Sequence, residues 1–244
     1  MSVLRYPARH TKDVAYTRKE QRRAGAHARS LARGASYMRL FYLGLAALAL
    51  YLGYHSITVK PLHVTNRPLL VLSGVLLVLA LFQAAGERKN SAKARVGATN
   101  ESRVARVLSK TNTDYLINSA MLGVGGDADH VLLGPCLAVV ETKSGRGPLS
   151  VRGHSLVSGS KIIPGDPVAQ VKRQAAALGR IAGSYCDAIV CVADTTTPIQ
   201  IDRGVTLCSL SQLPGVIAAL PARISQQDAA NLNDQVRHRD RANR

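Results

Sequence analysis

The stretch GGDADHVLLGPCLAVVETKSGRG, residues 125–147, decides the fold. Two apolar runs, residues 129–133 and 136–143, flank Gly134-Pro135, a hairpin signal. Positions 129 and 141 are equidistant from Pro135. A turn centred there sets Asp129 opposite Glu141 across an antiparallel pair, where facing Cβ atoms lie only ~5 Å apart. Glu141 and Lys143 are two residues apart and project from the same face of their strand. Two carboxylates and a lysine therefore converge at one end of a sheet. Opposed like charges destabilise a sheet unless something neutralises them. Hard divalent cations do so through oxygen ligands, and Mg²⁺ typically accepts one or two carboxylates plus a substrate phosphate. This is the chemistry of phosphodiester hydrolysis, in which a metal polarises the phosphoryl group and acidifies water. Lys143 can position that water or stabilise the developing oxyanion. The plainer alternative is a charged strand end bearing a surface Glu–Lys pair. Alternation turns His130 to the opposite face, as a core or supporting residue, and keeps Asp127 on the face of Asp129, as a solvated turn aspartate in preference to an extra ligand.

Working outward, the second half of the chain alternates helical and strand patterns. Asn100 can cap a helix running to about Lys110, with Val104, Val107 and Leu108 on one apolar face. Residues 114–119 form a first short strand, ahead of the two hairpin strands. Gly147-Pro148 ends the hairpin, and residues 149–151 and 155–157 make a small glycine-punctuated excursion. Asp166-Pro167 opens a helix to about Ala182, because proline costs little at an early helical position. Residues 188–192 and 205–208 read as buried strands, followed by helices over 211–220 and 225–238. The predicted fold class is α/β, a mixed sheet flanked by helices.

The same residues resemble the nuclease-related (NERD) domain, a branch of the PD-(D/E)xK restriction-endonuclease-like superfamily. The resemblance covers roughly residues 96–220. It rests on Gly97 and Glu101 opening the first helix, on Asp129-His130, on Val140-Glu141-Thr142-Lys143 followed by Gly145, and on Asp166-Pro167-Val168-Ala169-Gln170. It implies a restriction-endonuclease-like mixed sheet flanked by helices. It also implies that Glu101, Asp129 and Glu141 hold or support Mg²⁺ or Mn²⁺, that Lys143 is catalytic, and that Gln170 orients groups from the second helix. The implied substrate is nucleic acid, DNA foremost, with Arg146, Lys172 and Arg173 available to track phosphates. A catalytically silent module tethering nucleic acid or a protein to the membrane is the rival expectation.

The first part of the chain is of another kind. Of 244 residues with a formal net charge of +17, residues 1–39 hold ten Lys/Arg against Asp13 and Glu20. Residues 40–86 hold only Lys60 and Arg67, and the remainder carries twenty basic and thirteen acidic residues. Residues 40–59 and 68–86 are uncharged except at the loop between them, each near the ~20 residues that cross a hydrocarbon core. They are expected to form a two-span transmembrane hairpin, with Gly44, Ala47, Ser73 and Gly74 small enough for close helix packing. Basic residues before the first span, and Arg88, Lys89, Lys93 and Arg95 after the second, place both termini and the C-terminal domain in the cytoplasm. The expected localisation is a multi-pass protein of the cell membrane. The domain plan is a basic N-terminal segment (1–39), the hairpin (40–86), a basic linker (87–95), the nuclease-like domain (96–220) and a polar terminal helix and tail (221–244). Cys136, Cys186, Cys191 and Cys208 form no CxxC pair, and three lie in apolar runs, as small buried hydrophobes do.

Overall fold

The structure, a computed structural model, describes residues 24–58, 66–124, 126–152, 155–195 and 198–242. Most of the basic N-terminal segment and the loop between the two apolar stretches lie outside the described residues. The chain divides into two compact units, His27–Val96, and Gly97–Arg244 together with Met1–Ala26.

The first unit is an antiparallel helical pair, drawn from helix α1 (Ala26–Thr58) and helix α2 (Asn66–Leu108). Small residues line its seam. Ala32, Ala46 and Ala49 are buried on α1, and Ser73, Ala80, Ala84 and Ser91 on α2. Ser73 Oγ lies 3.2 Å from where a Cβ on Gly53 would stand. Ser91 Oγ sits 3.4 Å from both Ser36 Oγ and the Ala32 carbonyl oxygen. Small residues allow close approach of the two backbones, and seven-residue spacings such as 46 to 53 and 73 to 80 keep the seam on one face. Of the small residues singled out in the sequence, only Ser73 belongs to this seam; Ala47 is exposed, and Gly44 and Gly74 have open space beside them. The alanine spacing sets the rotation of each helix and turns those positions outward. The large apolar side chains also face out, with Phe82 77% and Leu40 65% exposed. Both helices are long and apolar enough to cross a membrane.

Residues 87–95, expected as a linker, are helical within α2, and Asn100 does not begin a helix. The stretch contains no proline and is rich in helix formers, so nothing stops the turn from propagating.

The second unit is built on a six-stranded mixed sheet in the order β1-β2-β3-β7-β9-β8. Strands β1 (Tyr115–Met121), β2 (Asp127–Leu133) and β3 (Leu137–Arg146) form an antiparallel meander. A small second sheet follows: β4 (Leu149–Arg152), β5 (Ser155–Ser158) and β6 (Lys161–Ile162). Helix α3 (Pro167–Ala182) then leads to β7 (Asp187–Asp194), which pairs parallel with β3. The short edge strand β8 (Gln200–Asp202) turns into β9 (Val205–Ser209), parallel to β7. Both β6 and β8 are too short to leave a period in the sequence. Helices α4 (Leu213–Ala219) and α5 (Gln226–Ala242) complete the unit.

Each face of the sheet has its own core. Val131, Val139 and Val190 meet Val171 and Leu178 of α3 and Leu232 and Val236 of α5. On the other face Leu132, Val140 and Ile189 meet Val104 and Leu108 of α2 and Leu213 of α4. β3 is buried on both sides, which explains its unbroken apolar run before Glu141. All four cysteines are buried and free.

The polar terminal helix is integral to this unit, because Ala229, Leu232 and Val236 form a buried stripe on an otherwise charged helix. Leu232→Ala in the full-length chain should therefore cost ~2–5 kcal/mol. Thermal melts would read this as a clear fall, and an unchanged melting temperature would mean that α5 is not packed as described.

Candidate active site

β2 and β3 pair from Leu133↔Leu137 to His130↔Val140, and one step further the register brings Asp129 and Glu141 to facing positions. There the ladder stops. The N–H of Thr142 donates to Asp129 Oδ2 at 2.7 Å, so a carboxylate replaces a strand carbonyl as acceptor. On the other side of β2, Ser119 adopts φ 53°, between the pairs Asn118↔His130 and Ala120↔Ala128. Two ladders thus open at the level of Asp129.

Lys143 Nζ donates to Glu141 Oε1 at 2.6 Å, across one strand face. Glu141 is 1% exposed, and its Oε2 is buried with no hydrogen-bond partner. A buried carboxylate oxygen without a donor is costly unless a proton or a cation satisfies it. Burial raises the Glu141 pKa, and Lys143 opposes that rise; Gln170 also favours the ionised form, though it leaves Oε2 unbonded. Gln170 owes its place to Asp166, whose Oδ1 accepts from the Ala169 N–H at 2.9 Å and starts α3 beside the sheet.

Glu101, in the last turns of α2, joins the same cluster. Burial, then the charges of Asp127 and Glu141, push its pKa up to about 7, against a hydrogen bond from the Gly25 N–H. Asp129 is pushed well above the usual carboxylate range by burial first, then by Glu141 and Glu101. Burial works to lower Lys143, but Glu141, Asp129 and Glu101 together outweigh it and hold the ammonium charged. Among the described residues no three His, Cys, Asp or Glu side chains close on one point as a finished cage. The carboxylates are near enough to repel and not yet gathered. That repulsion, and the orphan oxygen of Glu141, suit a hard divalent cation.

The supports are specific. Asn100 Nδ2 donates to Ser144 Oγ at 2.8 Å, and Arg103 Nη1 bonds Asp194 Oδ1 at 2.6 Å, tying α2 to the ends of β3 and β7. A Cβ on Gly145 would stand 2.5 Å from Ser158 Oγ and 2.7 Å from Val192 Cγ1, so only glycine follows the lysine strand there. Gly25 has φ +68° and a Cβ would fall 2.7 Å from the Ala98 carbonyl oxygen, so glycine alone brings this backbone up to Glu101. His130 is fully buried on the other face of β2; its Nδ1 lies 2.6 Å from Asn118 Oδ1 and its Nε2 3.1 Å from Thr142 Oγ1. Burial lowers its pKa to about 3, so it is a neutral strut between strands.

Residues 96–193 match the family model described as a nuclease-related domain. The chain carries a nuclease-related domain. Its mixed sheet, with helices on both faces, has the restriction-endonuclease-like architecture. No curated protein and no solved structure matches the chain.

Within the nuclease-related domain, Glu101, Asp129, Glu141, Lys143 and Gln170 come together. Arg146, Lys172 and Arg173 do not join them. Arg146 is exposed at the end of β3, and Lys172 and Arg173 lie on the exposed side of α3, with Lys172 Nζ on the Arg203 carbonyl at 3.0 Å. Asp127, expected as a solvated turn residue, acts electrostatically on both Glu101 and Glu141. Gly25 carried no signal, because its role depends on contact with a helix more than 70 residues away.

The raised Glu101 pKa has a thermodynamic consequence. Between pH 4.5 and about 7 the folded group holds a proton that the unfolded chain has lost, so its contribution to stability falls as pH rises. His130 acts oppositely: between about pH 3 and 6.5 the unfolded chain binds the proton, so its contribution rises with pH. Comparing wild type with Glu101→Gln cancels the histidine. In chelator, the variant should gain stability relative to wild type as pH climbs from 4.5 to 7.5. Parallel melting curves across that range would mean that Glu101 is not crowded by the other carboxylates.

Proposed function

We propose that the nuclease-related domain hydrolyses phosphodiester bonds of nucleic acid, DNA foremost, in a divalent-metal-dependent reaction close to a membrane. The observation that carries this reading is Glu141, buried with one oxygen on Lys143 and the other unpartnered beside Asp129 and Glu101. Mg²⁺ or Mn²⁺ held by Asp129, Glu141 and Glu101 would supply Lewis acidity at the phosphoryl group and a lower pKa for the attacking water. Lys143 remains protonated through its three carboxylate neighbours and offers a fixed positive charge where negative charge develops on the phosphoryl oxygens. Gln170 steadies Glu141 in its ionised form, and His130 with Thr142 keeps the strand carrying Glu141 and Lys143 from shifting. Arg146, Lys172 and Arg173 are the candidates for holding the nucleic-acid backbone outside the site, where each contact would be salt-sensitive. A silent tether is the second reading, favoured by the absence of a finished carboxylate cage among the described residues.

The two apolar helices support anchoring by a two-span hairpin, and the basic flanks support cytoplasmic termini. An epitope tag after Arg244 should stay hidden from antibody in intact cells and appear on permeabilisation. Labelling of unpermeabilised cells would reverse the orientation.

The catalytic reading predicts that the full-length protein cuts at least one nucleic-acid substrate only with Mg²⁺ or Mn²⁺. Lys143→Ala and Glu141→Gln should each slow cleavage at least ~100-fold, as losing a charge-stabilising group does. Binding of nucleic acid without cleavage, under every metal condition, would favour the tether.

A further inference from the structure

A cavity of about 650 Å³ opens between α1 and α2 within the first unit. Ser36, Arg39, Leu40 and Leu43 line it from α1, and Arg88, Ser91, Ala92 and Arg95 from α2. Each set has the spacing i, i+3, i+4, i+7 and so forms one continuous helix face. The Ser36–Ser91 contact fixes the antiparallel register and brings Arg39 level with Arg88. From there the wall grades one way to Leu40 and Leu43, continuous with the exposed apolar faces, and the other way to Ser91 and Arg95. No acidic residue lines the cavity, whereas the groove lined by Lys93 and Asn90 also contains Glu87.

We propose that this cavity binds the phosphate headgroup of an anionic phospholipid, with Arg39 and Arg88 on the phosphate and Leu40 and Leu43 against the start of the acyl chains. The inference rests on the hairpin spanning a membrane. Arginine suits the role because its planar fork of donors matches phosphate oxygens and it desolvates more readily than lysine. Basic pockets between membrane helices at the cytoplasmic side recognise such headgroups. A free phosphate ion would satisfy the arginines equally, but it gives the two leucines nothing to cover. The polarity gradient along the cavity fits an amphiphile.

The test uses the full-length chain, extracted in mild detergent from membranes supplied with phosphatidylglycerol and phosphatidylcholine, with co-purified lipid measured by mass spectrometry. Phosphatidylglycerol should be enriched over phosphatidylcholine, and excess inorganic phosphate should not displace it. Arg39→Gln, Arg88→Gln and Arg95→Gln together should lower that enrichment at least ~10-fold. The same charge loss at Arg33, Lys89 and Lys93 should leave most of it. Arg88→Gln alone should lose part of the enrichment, which keeps the proposal testable if the triple variant fails to insert. Equal retention of the two lipids, equal loss in both triple variants, or displacement by inorganic phosphate would overturn the site. Alkaline carbonate extraction of the membranes separates the two failures. A chain released by carbonate overturns the anchor and the lipid site with it, whereas a chain that stays without selecting lipid overturns the lipid site alone.

Discussion

The Lys143–Glu141 ion pair is the interaction on which the candidate site depends. A carboxylate as buried as Glu141 cannot remain ionised in a protein interior without a partner, and leaving such a charge uncompensated costs several kcal/mol. Lys143 supplies the partner from two residues along the same strand, so no loop has to close to make the pair. Only one oxygen is satisfied. The other stays bare beside Asp129, Glu101 and Asp127, and the local surplus of negative charge persists. A folded domain tolerates that surplus because part of it is held as protons and part is offset by Lys143. A crowded set of carboxylates with one bare oxygen is the kind of donor set that a hard divalent cation would satisfy.

Everything around the pair keeps it at the end of the sheet. β3 is the central strand, buried on both faces before Glu141, and its register with β2 and β7 leaves it no freedom to slide without turning each side chain to the wrong face. Beyond Lys143, Gly145 lets Ser158 and Val192 close over the strand. The tail of α2 is bolted down by Asn100 and Arg103 and delivers Glu101, while Asp166 starts α3 so that Gln170 arrives from the opposite face. His130, which stands next to Asp129 in the chain, is a neutral strut rather than a ligand, because strand alternation buries it on the other side.

The helical pair obeys a different physics. Its seam is made of alanine, serine and glycine, and its outer surface of leucine, valine and phenylalanine, the inverse of a soluble helical hairpin. In water that surface would drive aggregation; in a bilayer it costs nothing, and close packing through small residues holds the helices together. Charged residues stand at one end of the described pair, and Arg39, Arg88 and Arg95 line the same cavity there.

Much of this was legible in the chain itself. The symmetry of residues 129 and 141 about Pro135, the two-residue step from Glu141 to Lys143 and the charge-free runs at 40–59 and 68–86 are local patterns, and local patterns follow from strand alternation, turn chemistry and span length. They determined the hairpin, the facing carboxylates and two helices of membrane-spanning length. Tertiary structure decided what depends on distant partners. It packed the polar terminal helix into the core through Ala229, Leu232 and Val236 and added the short strands β6 and β8, whereas the supposed linker joined the helix bearing Glu101 through local helix propensity. It also moved the helix seam from Gly44 and Gly74 to Ala46, Ala49 and Gly53, and brought Asp127 and Gly25 up to Glu101. The approach of Asp127 and Gly25 to Glu101 joins segments far apart in the chain, so packing and charge select it only once the sheet has formed.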